Sequence, residues 1–179
     1  MRGYRPILTL STSYTLEVQR LWTPWRRAFV EGNDNRAGEC FLCLVPAERD
    51  DRKKLVLFRG EHVYVLLNLY PYNSGHLMVA PYAHTGDLGS LEAAIANEMM
   101  QTTQRSVKAL QRAYRPEGLN IGMNLGKPAG AGLPDHLHIH VVPRWTGDTN
   151  FMPVVGETKV LPESLEQTYE RLEPVFHRA

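Results

Sequence analysis

Three histidines at alternate positions, within Asp135-His136-Leu137-His138-Ile139-His140-Val141-Val142-Pro143-Arg144, constrain this chain more than any other stretch. Strict alternation with Leu, Ile and Val reads as a β-strand, and Pro143 closes the run. On a strand, positions i, i+2 and i+4 share a face, so His136, His138 and His140 point one way and Leu137, Ile139 and Val141 the other. At about 3.3 Å per residue the three imidazoles span roughly 13 Å, which lines a site but is too long for one metal ion. The segment Gly126-Lys127-Pro128-Ala129-Gly130-Ala131-Gly132 leads into the run.

The rest of the chain reads as support for that strand. Its 179 residues suffice for one domain with a proper core, here expected over 14–179 behind a loose arm at 1–13. A net charge of +1 offers no global attraction for long nucleic acid or an anionic membrane. The apolar runs are too short for a membrane helix or a signal peptide. With no export signal, the pair Cys40 and Cys43 points to a reducing compartment, by default the cytoplasm, and to a metal before a disulfide.

Between residues 16 and 29, Trp22 and Trp25 mix with Arg20, Arg26 and Arg27, and Pro24 argues against an unbroken helix. Such a segment either packs onto the body or a second subunit, or stacks on a nucleobase. Glu31 to Gly38 reads as a loop and Glu48 to Lys54 as a charged turn. Leu55–Phe58 and Val63–Leu67 form a hairpin about Arg59-Gly60-Glu61, and His76–Ala80 is a further strand. From Asp87 to Tyr114 apolar residues recur every three or four positions, which predicts a long amphipathic helix capped by Asp87 or Ser90. Leu119–Leu125 is another strand, 151–155 a short one, and Leu161, Leu165, Tyr169, Leu172 and Phe176 suit a C-terminal helix. Hairpins with segregated helices give the α+β class, on an antiparallel sheet.

A neutral imidazole can serve as nucleophile, acid or base near pH 7. One strand histidine is usually structural, but burying three together is costly unless each is hydrogen-bonded. Catalytic, metal-binding and structural readings of the triplet remain distinct at this level. Glycines allow a backbone to approach a ligand and aim N–H groups at phosphate oxygens, and Lys127 adds a point charge, although a glycine-rich run can also be simply a flexible loop. Cys40-x-x-Cys43 supplies half of a tetrahedral zinc site, which two imidazoles would have to complete; the alternative is a pair of free thiols. His62 and His177 read as surface residues, with His62 a fallback ligand.

The segment from Asn124-Leu125-Gly126 through His136-Leu137-His138-Ile139-His140-Val141-Val142-Pro143-Arg144 resembles the signature of the histidine triad (HIT) superfamily of nucleotide hydrolases and transferases. Asn68-Leu69-Tyr70-Pro71-Tyr72-Asn73-Ser74-Gly75-His76 is similar to its upstream strand–loop–strand with a fourth histidine. The likeness covers about 40–145. Trp145 to Phe151 and Leu21-Trp22-Thr23-Pro24-Trp25 look like the branch containing bacterial diadenosine tetraphosphate phosphorylases. The resemblance implies a HIT-like fold, a five-stranded antiparallel sheet with a long helix and a C-terminal helix, and a homodimer.

By the same resemblance His138 attacks the α-phosphorus of a dinucleoside polyphosphate and carries a nucleotidyl-histidine intermediate. His140 and His76 lie beside the phosphates. Asn68 lies near the ribose, Asn124 near the phosphate chain, and N–H groups around Gly130, Gly132 and Leu133 hold developing charge. Cys40, Cys43, His84 and His136 are the implied zinc ligands, in a structural role. Many family members carry a glutamine shortly before the triad, where this chain has Gly130-Ala131-Gly132-Leu133, and this departure leans toward a transferase or phosphorylase. The alternatives are a nucleoside phosphoramidase and a nucleotide-binding protein without turnover.

Overall fold

The computed structural model describes residues 40–156 and 158–177. The expected arm at 1–13, the tryptophan–arginine segment at 16–29 and the loop at 31–38 lie outside them. The described residues open with α1 (Phe41–Ala47) and a four-residue helix, α2 (Asp51–Lys54). The strands and helices that follow are β1 (Val56–Arg59), β2 (Val63–Leu67), β3 (Leu77–Pro81), α3 (Ala93–Tyr114), β4 (Gly118–Met123), β5 (Ile139–Arg144), α4 (Met152–Val155) and α5 (Leu165–His177). All strand pairs are antiparallel, in the order β1-β2-β3-β5-β4.

Both faces of the sheet are covered, which explains why Val63-Tyr64-Val65-Leu66-Leu67 is apolar throughout rather than alternating. Val63, Val65, Leu67, Val79, Ile139 and Val141 pack beneath Leu110 of α3 and Leu172 and Phe176 of α5. Trimming Leu110, fully buried here, to alanine costs about 2–5 kcal/mol in cores of this kind. On the opposite face Tyr64, Leu66, Met78 and Ala80 pack against Leu42 and Val45 of α1. The Tyr64 hydroxyl donates to the Leu42 carbonyl at 2.7 Å and so fixes α1 against that face.

Three expectations need correction. The long helix starts at Ala93, not near Asp87, with Glu92 as its N-cap. The Asp87 carboxylate is spent on a local turn, accepting from Gly89 N–H at 2.8 Å, which is the alternative to capping open to an aspartate. The apolar stripe of α3 packs on this chain's own sheet and on α5. Residues 152–155 form a helical turn instead of a strand: Pro153 has no N–H for a sheet ladder, and the Asn150 side chain accepts from Met152 N–H at 2.9 Å. The charged turn at 48–54 contains α2, capped by Asp50 through Lys53 N–H at 3.1 Å. The C-terminal helix is present, and Ser164 and Gln167 cap it reciprocally.

Candidate active site and metal centre

The histidine run is only half strand. β5 begins at Ile139, so His140 sits in the sheet, opposite Met78 and Gly122, whereas His136 and His138 lie on the approach to it. That approach is held by Leu137 N–H donating to Thr85 O at 2.7 Å. The alternation persists nonetheless: Leu137, Ile139 and Val141 are buried, and the three imidazoles are directed away from them.

His136 joins the first cluster. Its Nε2 lies 2.8 Å from the Pro81 carbonyl, which can only accept, so the proton is on Nε2 and the lone pair on Nδ1. That Nδ1 is 3.3 Å from Cys40 Sγ, 3.5 Å from Cys43 Sγ and 3.4 Å from His84 Nδ1, and Cys43 Sγ is 3.3 Å from His84 Nδ1. All four donor atoms lie within 4.8 Å of one another. Zinc bonds of about 2.0–2.3 Å in a tetrahedron give donor–donor edges of about 3.3–3.8 Å. The two-cysteine, two-histidine set therefore fits a tetrahedral cation in both size and donor type. Burial, then the adjacent Cys40, push the Cys43 thiol above its ordinary value, so keeping that sulfur as a thiolate calls for such a cation.

Local structure explains how these residues meet. Cys40 caps α1, and its carbonyl accepts from Cys43 N–H at 2.9 Å, a turn that brings the two sulfurs together. His84 reaches the site because Gly86 has no side chain: a Cβ there would stand 2.4 Å from the Pro134 carbonyl. No motif in the chain pointed to that role for Gly86. His62, the fallback ligand, is elsewhere; its N–H donates to Glu98 at 2.8 Å and its ring faces Glu61.

The second cluster uses the opposite tautomer. His138 Nδ1 lies 2.9 Å from the His136 carbonyl, so Nδ1 donates and the lone pair is on Nε2. Burial holds the His138 ring below its usual pKa, neutral at pH 7. His76 accepts from Tyr72 N–H through Nδ1 at 3.1 Å, which leaves its proton on Nε2, 2.9 Å from His140 Nδ1. His140, when neutral, therefore carries its proton on Nε2. Burial first, then His140 and His138, push His76 down to about 3. The His138 and His140 rings are 4.8 Å apart, and Tyr72 lies over His76 at 4.5 Å. The arrangement offers an unprotonated ring nitrogen beside two imidazoles whose protons are ordered by a backbone N–H. Tyr72 was missed by sequence reasoning, because a backbone donor leaves no mark in residue identity.

The other expected residues are spread around this row. Asn68 is buried, with Nδ2 3.5 Å from His76 Nε2 and its carbonyl accepting from Tyr70 N–H. Asn124 donates to Gly130 O at 3.4 Å, and both Asn124 and His140 line a groove of about 420 Å³. Lys127 is exposed, in a short 3-10 turn (Lys127–Ala129). Gly130 takes a left-handed backbone, φ +91, and donates to Lys127 O, while Ala131 N–H turns back to Gly126 O. In the stretch 130–133, the N–H groups of Gly132 and Leu133 make no such internal bond among the described residues. Asp148, also missed, gathers Arg144, Asn73 and Trp145 N–H. The Arg144 guanidinium holds that carboxyl well below the usual range.

An antiparallel sheet with two histidines in a possible metal set and three around an ordered proton chain defines a class, and comparison with known proteins agrees. The HIT domain family matches residues 49–147, and this chain belongs to that family. An AP-4-A phosphorylase of Mycobacterium tuberculosis is 42% identical over 159 residues, 85% of this chain and 81% of that protein. A bis(5'-adenosyl)-triphosphatase of Saccharomyces cerevisiae is 29% identical over 50% of this chain and 44% of its own length. Among solved structures, a zinc-bound histidine triad family protein from Mycobacterium smegmatis superposes with a TM-score of 0.61 at 25% identity, covering 77% of this chain and 92% of that one.

Proposed function

We propose that this enzyme splits dinucleoside polyphosphates, diadenosine tetraphosphate among them, by two displacements at the α-phosphorus. His138 Nε2 attacks, the bond to the bridging oxygen breaks, and a nucleoside polyphosphate departs. Water or inorganic phosphate then takes the nucleotidyl group from the ring nitrogen. The observation that carries this reading is the Nδ1–H bond from His138 to the His136 carbonyl, which puts the lone pair on the other nitrogen in a neutral ring. His140 donates its Nε2 proton to the phosphate or the departing oxygen, with His76 behind it fixing the tautomer. Gly132 and Leu133 N–H groups, with Lys127, meet the charge that develops; Asn68 lies toward the ribose and Asn124 toward the phosphate chain.

The likeness to the mycobacterial phosphorylase and the Gly130-Ala131-Gly132 stretch both favour inorganic phosphate as the acceptor. Zinc on Cys40, Cys43, His84 and His136 supplies a cross-link that ties α1 to the histidine run, a structural contribution. A homodimer fits β4, the outer strand of the sheet, with an edge able to pair. Among the described residues no helix is long and apolar enough to cross a membrane. The net charge of +1 favours small nucleotides over long nucleic acid or an anionic membrane as partners, and the cytoplasm is the proposed compartment.

The test is product analysis with diadenosine tetraphosphate, with and without inorganic phosphate. Nucleoside diphosphate formed only when phosphate is present marks the phosphorylase, and nucleoside monophosphate in both conditions marks the hydrolase. A wild-type protein that binds nucleotide and turns nothing over overturns the enzyme reading.

A further inference from the structure

The histidine face carries a groove of about 420 Å³ that His140 and Asn124 line and that extends beyond the residues used in the chemistry at His138. Asn120, Gly122, Val142, Arg144, Thr149 and Lys159 line it. His140, Val142 and Arg144 alternate on one strand and so run in a row away from the triad, about 13 Å from first to last. Gly122, paired with His140, forms the floor, and a Cβ built there meets nothing within 4 Å. Glycine at that position leaves depth where any other residue would place a side chain.

The groove is lined with donors. Three of the five Arg144 N–H groups are committed, two to Asp148 and one to the Asn120 carbonyl at 2.8 Å. That bond turns the Asn120 amide NH₂ outward as a donor. Among the described residues Lys159 is held over the groove by Nζ donating to the Asp148 backbone carbonyl at 2.8 Å, a neutral acceptor. The Asp148 carboxylate is paired with Arg144, so the Lys159 charge is left in excess for an anion lying in the groove.

We propose that this groove binds the departing half of the substrate, the nucleoside polyphosphate beyond the cleaved bond, and that Lys159 and Gly122 set the preference for long phosphate chains. This rests on the reading of the function given above. The nucleotidyl half sits at His138, and in-line displacement sends the leaving oxygen away from that ring, past His140 and along the Val142–Arg144 row.

Two variants act on the groove by different means, Lys159→Met by charge and Gly122→Val by volume. Valine suits a strand, and no left-handed backbone is required at Gly122, so this variant keeps the fold. The readouts are kcat/KM for diadenosine tetraphosphate and dissociation constants for AMP and for inorganic tripolyphosphate. Each variant is expected to lower kcat/KM about 10-fold and to weaken tripolyphosphate by a similar factor, with AMP affinity within about twofold and Lys159→Arg restoring most of the loss. Unchanged tripolyphosphate affinity, or AMP affinity falling in step, overturns the assignment. If the wild type turns over no dinucleoside polyphosphate, the functional reading fails instead, and tripolyphosphate binding alone then decides the groove.

Discussion

His136 and His138 sit two residues apart, both buried, both with a ring nitrogen donating to a backbone carbonyl, yet they serve opposite regions. His136 donates from Nε2 and turns Nδ1 toward two sulfurs and a second imidazole. His138 donates from Nδ1 and carries its lone pair on Nε2. The difference teaches that the position of an acceptor carbonyl, more than the residue type, divides one histidine run into a ring whose lone pair faces the thiols and a ring whose lone pair is on the other nitrogen. In the metal set, four donor atoms lie within 4.8 Å of one another, whereas in the other cluster the imidazoles form a line from Tyr72 N–H through His76 to His140.

Replacing each side in turn tests the division. His138→Ala is expected to cut turnover of diadenosine tetraphosphate by about 10⁴-fold or more, with nucleotide binding and metal content retained. Metal lost together with activity would show that the two regions are not separate. His76→Gln breaks the proton order behind His140 and is expected to lower kcat by about 10²-fold with little change in metal. Full activity in that variant would remove the chain Tyr72–His76–His140 from the mechanism.

Cys43→Ser acts on the other side. Bound zinc, measured by elemental analysis, should disappear, and the melting temperature should fall by about 10 °C, equivalent to roughly 3 kcal/mol for a chain of this size. Thermal stability indifferent to the substitution and to chelator would sink the structural role of the metal. The smallest effect concerns pH. His76 is held near 3 in the folded state against about 6.5 unfolded, so between those values the unfolded chain binds a proton that the folded one refuses. Stability is therefore full above about pH 6.5 and declines as pH falls, and His76→Gln should flatten the drop in melting temperature between pH 7 and 5.5. An identical slope in the two proteins would place the loss on other groups.

Much of the fold was legible because its periodicities are strong. Alternation around His138 gave a strand face, and the three- and four-residue recurrence up to Tyr114 gave the long helix. The start of that helix was not legible, because Asp87 has a turn and a cap open to it and only the packed structure selects the turn. Phe151 to Val155 misled because a short apolar run suits either strand or helix, and Pro153 decides it. At the site, Cys40, Cys43, His84 and His136 could be named from motif likeness, but Gly86 and Tyr72 act through an absent side chain and a backbone N–H. Lys159 lies outside the matched family segment, so nothing in the motif pointed to it.

The sequence by itself determined the inventory: three alternating imidazoles, a pair of thiols one helical turn apart, glycines before the run, and the apolar periods that build an antiparallel sheet with helices. Only the tertiary structure decided which nitrogen of each ring is open and which donors meet. Those outcomes depend on contacts between residues far apart in the chain, such as Cys40 with His136, 96 positions away. A tautomer is fixed by where a carbonyl lies in space, and local sequence carries no record of that position.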